Sequence, residues 1–230
     1  MKTARQSLVA LVLSLILIGC NDSSLNVLVY DTSVKIPVPN GYCYISESNT
    51  GEAELFKEVQ SMHAERSELI MMFVNCNELE NFRTSKEGVL LNNFAYVMAP
   101  KRSITQRIYT PINEFIAEME KVFLEQGVKI FKQATENMKS QNPDDSVLSD
   151  FKVNEMRILG SDENALYALA ISEQQLVGVL PIKSVAITAL TKINSKILTL
   201  QFETMFKDKE VIASMYKANK EWLKQAQRVN

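Results

Sequence analysis

Residues 197–206, ILTLQFETMF, alternate with period two: Leu198, Leu200, Phe202 and Phe206 fall on one side, and Thr199, Gln201 and Glu203 on the other. Only a strand in a sheet with one well-covered face accommodates that pattern. The preceding VAITALTKI (185–193) and the short NSK at 194–196 make the pair a hairpin. DFKVNEMRIL (150–159), GSDEN (160–164) and ALYALAIS (165–172) repeat the arrangement, so the second half of the chain supplies four mainly antiparallel strands. Asp208 then stands as N-cap of a closing helix whose inner stripe is Ile212, Met215, Tyr216, Asn219, Trp222 and Leu223.

The first half mixes strands and helices. VKIPVP (34–39) alternates Val34, Ile36 and Val38, and Pro37 and Pro39 confine it to a sheet edge because proline lacks the N–H a central ladder needs. Asn40–Gly41 predicts a hairpin turn into YCYIS (42–46) as partner strand. Asn49 or Thr50 caps a helix to about Ser61, with Leu55, Val59 and Met62 on one stripe. LIMMFVNC (69–76) is a strand apolar enough for burial on both faces, NELENFRTSKEG (77–88) a polar connection, and VLLNNFAYVMA (89–99) another strand. A long helix opens with Thr110 as N-cap, Pro111 in the first position and Glu114 in the first turn. Ile112, Phe115, Ile116, Met119, Val122, Phe123, Ile130 and Ala134 follow helical spacing; Gly127, costing about 1 kcal/mol in a helix interior, is a place for a kink. QNPDDS (141–146) ends it. The order predicts an α+β fold, a mainly antiparallel sheet flanked by helices, in one domain over residues 34–230.

The N-terminus has a different character. Lys2 and Arg5 precede an apolar run, residues 8–18, interrupted only by Ser14. It is short of the ~20 residues a bilayer span requires and fits the apolar core of a secretory signal. The run closes on LIGC (17–20), which resembles the lipobox of bacterial lipoproteins, whose cysteine is acylated and becomes the new N-terminus. The resemblance implies a signal peptide over 1–19, lipid on Cys20, and a periplasm-facing anchor in the cell envelope. Asn21 in place of aspartate favours the outer membrane over the inner. Residues 20–33 then read as a lipidated tether, with an apolar patch at NVLVY (26–30) able to dock on the domain.

Removing 1–19 takes away two cations and no acid, moving the net charge from −2 to −4, a balance that points away from nucleic acid. The remaining 211 residues, in a chain 46% hydrophobic, are enough for a sizeable core. With Cys20 assigned to lipid, Cys43 and Cys76 are left as an even pair in an oxidising compartment. A bridge would close a loop of about 34 residues and contribute about 3.7 kcal/mol on the chain-entropy model; two buried free thiols are the alternative.

Chemistry is sparse. The single histidine, His63, falls at a helix end, and no zincin, nucleophile-elbow, C-x-x-C or dinucleotide motif appears. Asp144–Asp145 and SDEN (161–164) match no EF-hand spacing and read as turns. No metal ligand set, catalytic residue or cofactor is predicted, and the chain reads as a non-enzyme. Two basic features remain: Lys101, Arg102 and Arg107 ahead of Tyr109, and Lys217, Lys220, Lys224 and Arg228 at helical spacing. They suit contact with anionic headgroups or an acidic envelope partner, or are simply solvated faces.

ITALTKINSKILTLQFETMFKDKEVIASM (187–215) resembles the hairpin-then-helix ending of DcrB-type lipoproteins and of the broader PsbP/Mog-type fold, with Ile197–Leu200 and Phe202 matching its strand pattern. VKIPVPNGY (34–42) resembles that fold's opening strand, and the long middle helix and the lipobox agree. The resemblance implies an αβα sandwich acting as a non-catalytic scaffold or accessory protein at a membrane, and it transfers no catalytic residue. The expected function is therefore a lipid-anchored envelope module that binds a protein partner. An envelope hydrolase with an unrecognised site, or a small-ligand or lipid carrier with a pocket between sheet and long helix, are the alternatives.

Overall fold

A computed structural model describes residues 24–85, 90–140, 148–176 and 182–230. Its elements are β1 (Ser24–Val29), β2 (Thr32–Pro37), β3 (Tyr42–Tyr44), α1 (Thr50–His63), β4 (Ser67–Asn75), α2 (Cys76–Thr84), β5 (Phe94–Pro100), α3 (Ile112–Ser140), β6 (Leu148–Ser161), β7 (Ala165–Leu176), β8 (Ile182–Ile193), β9 (Lys196–Met205) and α4 (Lys209–Arg228). β3 to β9 form one sheet in the order β3-β4-β5-β9-β8-β7-β6, every neighbouring pair antiparallel, and β1 and β2 form a separate hairpin. The fold is α+β, as its sequence pattern predicts.

The two faces of the sheet are covered differently. On one, Phe73, Val97, Leu200, Phe202, Ile187 and Tyr167 pack under α4 and the β1–β2 hairpin, with Trp222, Leu223 and Ala226 of α4 and Val34 and Ile36 of β2 fully enclosed. On the other, α1 and α2 cover the β4–β5 side through Phe56, Val59 and Leu79 against Met72, Val74 and Tyr96. The start of α3 covers the β6–β9 side through Phe115 and Ile116 against Leu166. Burial on both sides explains the unbroken apolar run of β4. A bulge between Leu69 and Met71 adds to it, turning Leu69 and Met72 to one face and Met71 and Phe73 to the other.

Both predicted hairpins in the second half form: β6–β7 around Asp162–Asn164, and β8–β9 through Asn194 and Ser195, whose φ angles of 47° and 65° are those of the tight turn that suits strand twist. Asp208 caps α4 by accepting the Glu210 and Val211 N–H bonds, and Asn49 caps α1. α3 runs through Gly127 as one helix.

Four expectations are corrected. The segment expected to be tether is structured from Ser24, because alternate residues of β1 pack beside β2 and Val29 is buried. Asn40–Gly41 does make a turn, with Gly41 at φ 80° and the Tyr42 N–H on Pro39 O, but it carries the chain from the hairpin into the main sheet, where β3 pairs with β4. The polar stretch after Asn75 is helix α2, capped by the Asn75 side chain. Met62 is 45% exposed; the buried stripe of α1 runs through Glu52, Phe56 and Val59 instead. Residues 1–19, Cys20 and 141–146 lie outside the described residues.

Candidate interaction surface and adjoining cavity

The β1–β2 turn, the 101–110 loop and the β8–β9 hairpin meet around one lysine. Lys196 opens β9 on its inward-facing register, so its stem is buried, 1% exposed, and its ammonium must find partners. It donates to Ile104 O (2.8 Å) and Gln106 O (3.2 Å) and pairs with Asp31 Oδ1 at 2.9 Å. Arg107 reaches the other Asp31 oxygen at 3.0 Å. Lys196 first, then the Thr32 hydroxyl and Arg107, hold the Asp31 carboxyl well below the usual carboxylate range against the opposing effect of desolvation. The Lys196 ammonium also lies 5.4 Å from the Tyr30 ring centroid.

What this anchorage presents outward is apolar and aromatic. Tyr30 is 59% exposed although its φ is 56°, a left-handed conformation that a bulky residue adopts only when its surroundings enforce it. Tyr109 is likewise exposed and interacts with Arg107, whereas the exposed Leu28 lies toward α1 and β4, beside Phe56 and Leu69. Exposed tyrosines beside an arginine, on loops fixed from beneath by a buried cation, have the composition of a protein-recognition surface.

A cavity of about 350 Å³ opens between α4, the end of β9 and the 39–42 turn. Tyr42, Phe202, Trp222 and Met215 supply its apolar wall; Asn40, Asn93, Thr204, Ser214, Glu221 and Gln225 supply polar groups. Behind it, Glu78 accepts the Asn92 and Asn93 N–H bonds at 3.0 Å each and the Asn93 side-chain amide, while the Thr204 hydroxyl donates to Asn93 Oδ1 at 2.6 Å. Burial, with the Glu78 charge second, pushes the Tyr42 phenol up to about 12. The lining contains one carboxylate, Glu221, and no cation.

The sequence-predicted residues fall into three groups. Cys43 on β3 and Cys76 at the start of α2 come together as a disulfide-capable pair with Cα atoms 4.9 Å apart, because β3 and β4 are sheet neighbours and α2 follows β4 directly. Of the seven basic residues, Arg107 is committed to Asp31, and Lys220 to Asp162 at 3.0 Å, where it also lies over Tyr167 and Tyr216. Lys101, Arg102, Lys217, Lys224 and Arg228 are exposed, so the predicted α4 stripe is interrupted at Lys220. Asp162 is a turn residue, accepting the Asn164 and Ala165 N–H bonds and the Tyr167 hydroxyl. Among the described residues no cluster of metal-ligating side chains occurs.

His63 lies beside Tyr96, ring centroids 6.2 Å apart, and burial lowers its pKa. Glu203 stands on β9 facing the α1–α3 side, where burial outweighs bonds to Ser184 and Gln201 and raises its carboxyl. The α4 cavity, on the other face, contains neither group. Lys196, Asp31 and Tyr30 had no signal in the sequence beyond the period-two register of β9, which places position 196 on the buried side.

No protein-family model and no curated protein sequence matches the chain. Among solved structures it is similar to the Saccharomyces cerevisiae Ran-binding protein Mog1p, with 10% sequence identity over 89% of this chain and 90% of that one, at a TM-score of 0.31. A superposition that loose carries nothing about function.

Proposed function

We propose that the chain is a lipid-anchored protein of the bacterial cell envelope that binds a protein partner without catalysing a reaction. The lipobox-like LIGC at 17–20 supports the anchor, and the order of strands and helices is compatible with the PsbP/Mog-type arrangement that its resemblance implies. The observation that carries the binding role is the surface formed by Tyr30, Arg107 and Tyr109, held from beneath by the buried Lys196. A rigid, exposed group of tyrosines and an arginine suits a binding hot spot, where truncating one such residue typically costs 2 kcal/mol or more. A carrier role has less support, since the cavity lies under α4 rather than beneath the long helix and nearly half of its lining residues are polar.

Two experiments test this reading. Mass spectrometry of the protein from native membranes should find Cys20 acylated and N-terminal; an unmodified Cys20 removes the anchor. A photocrosslinking residue at Tyr109 should give a discrete covalent adduct in cells that Arg107→Ala abolishes, while the same probe at Met62 gives none. Equal labelling from both positions would count against a specific partner surface.

A further inference from the structure

The chain leaves almost no slack between the proposed lipid and the folded domain. β1 begins at Ser24, four residues after Cys20, so even a fully extended leash spans at most about 14 Å. Ser24 pairs with Pro37, a separation of about 5 Å, and Pro39 lies two residues further, at most about 7 Å. Pro39, buried, and Asn40, exposed, line the α4 cavity on that side. An anchor on Cys20 therefore keeps this side of the cavity within about 26 Å of the bilayer surface, with the Tyr30–Arg107 surface further along β1.

The rim carries a specific pattern of charge. Glu221 lines the cavity and has no ion pair or hydrogen bond among the described residues. Lys217 and Lys224 stand four residues before and three after it, on the same exposed flank of α4, and are likewise without a salt bridge among the described residues. A carboxylate at the mouth of an aromatic-walled cavity suits an ammonium group. Two lysines just outside suit a phosphate. The two charges of a zwitterionic phosphoethanolamine group are joined by two carbons, so both contacts are reachable at once.

We propose that this cavity is a membrane-facing site for a phosphoethanolamine group, its ammonium at Glu221 and its phosphate at Lys217 and Lys224, supplied by the lipid headgroups on which the anchor rests. The inference relies on the lipid-anchor reading for the source of the ligand but not for the chemistry of the cavity. Trp222, the chain's single tryptophan, lines the cavity and reports occupancy directly through its emission.

The test has separable arms. Full-length protein in detergent, titrated with glycerophosphoethanolamine, should show a saturable change in Trp222 emission that glycerophosphoglycerol does not produce. Glu221→Gln, at an exposed position where folding is unaffected, should weaken it about ten-fold or more. Lys217→Gln with Lys224→Gln should weaken it about three-fold. In vesicles, emission should differ between phosphatidylethanolamine–phosphatidylglycerol mixtures and phosphatidylglycerol alone, for wild type but not for Glu221→Gln. No saturable change, equal response to both soluble probes, or an unaffected Glu221→Gln overturns the site. Soluble binding with no dependence on vesicle composition overturns the membrane source, as does an unmodified Cys20, and both leave the soluble titration as an independent reading of the cavity.

Discussion

Three residues carry charge or conformation at a cost that their neighbours must offset. Lys196 satisfies its buried ammonium with two loop carbonyls and Asp31. Lys196→Met should therefore destabilise by about 2–3 kcal/mol, less than a fully buried pair because Asp31 is 43% exposed. Urea unfolding measures the loss, and proteolysis in the 101–107 loop should accompany it. Tyr30 holds a positive φ that glycine adopts freely. Tyr30→Gly should leave stability unchanged or raise it by up to about 1 kcal/mol while weakening partner capture, a split that a merely structural tyrosine would not show. Glu203 has its carboxyl raised by burial, so its contribution to stability is present below the unfolded pKa and is lost as pH rises through the folded one. Glu203→Gln should accordingly raise the Tm by a few degrees at pH 7–8, roughly what 1 kcal/mol gives in a domain of this size, and by little near pH 4.

At the scale of elements, the covalent and capping contacts decide which pieces stay together. The Cys43–Cys76 pair ties the edge strand β3, three residues long, to the start of α2. Replacing both cysteines with alanine should cost about 3–4 kcal/mol in denaturant unfolding if they are bridged, and free-thiol titration of the denatured, unreduced protein gives the direct measurement. α4 is fixed by more than its apolar stripe. Trp222 Nε1 donates to Pro37 O, and the Asn219 amide donates to the carbonyls of Ile187 and Leu200, so one helix holds both the β1–β2 hairpin and two central strands. Its Asp208 cap is visible in the sequence, as is Asn49 at α1. α2 was not legible because nine residues with one buried apolar side chain, Leu79, show almost no helical periodicity, and the Asn75 cap lies inside what reads as a continuing strand.

For the whole molecule, several carboxylates set the response to acid. Glu52 is buried, which raises its pKa, yet Arg83 and the Ser46 N–H more than reverse that. At Asp162 desolvation is likewise outweighed by Lys220, the Asn164 N–H and Tyr167. With Asp31, both are depressed in the folded state, so their stabilisation is present above the unfolded pKa near 4 and is lost as pH falls through the lower folded values. His63, lowered by burial, adds a shallower loss that begins as pH falls below about 6.5. In the Glu203→Gln background, which removes the opposing gain at that carboxyl, stability measured by urea unfolding should therefore decline in two stages on acidification, and adding His63→Gln should remove the first stage only.

The sequence alone determined what local periodicity and local chemistry can determine: the two C-terminal hairpins, the capped closing helix and the α+β class; that Cys43 and Cys76 come together was decided by the tertiary structure. Alternation fixes which side of a strand is buried, and capping residues act on N–H groups two or three positions away, so both are read within ten residues. Tertiary structure alone decided where β1 ends up, that Asn40–Gly41 leads into a different sheet, and that Lys196, Asp31, Arg107 and Tyr30 meet. The contacts of Asp31 and Tyr30 with Arg107 and Lys196 join positions 76 to 166 residues apart, and no local pattern encodes a distance in space between them. The same holds for the 24–29 segment. Read as a tether, its apolar residues were only a patch able to dock; paired with β2, they shorten the leash from Cys20 to four residues, so an anchor there would keep the start of the hairpin within about 14 Å of a membrane.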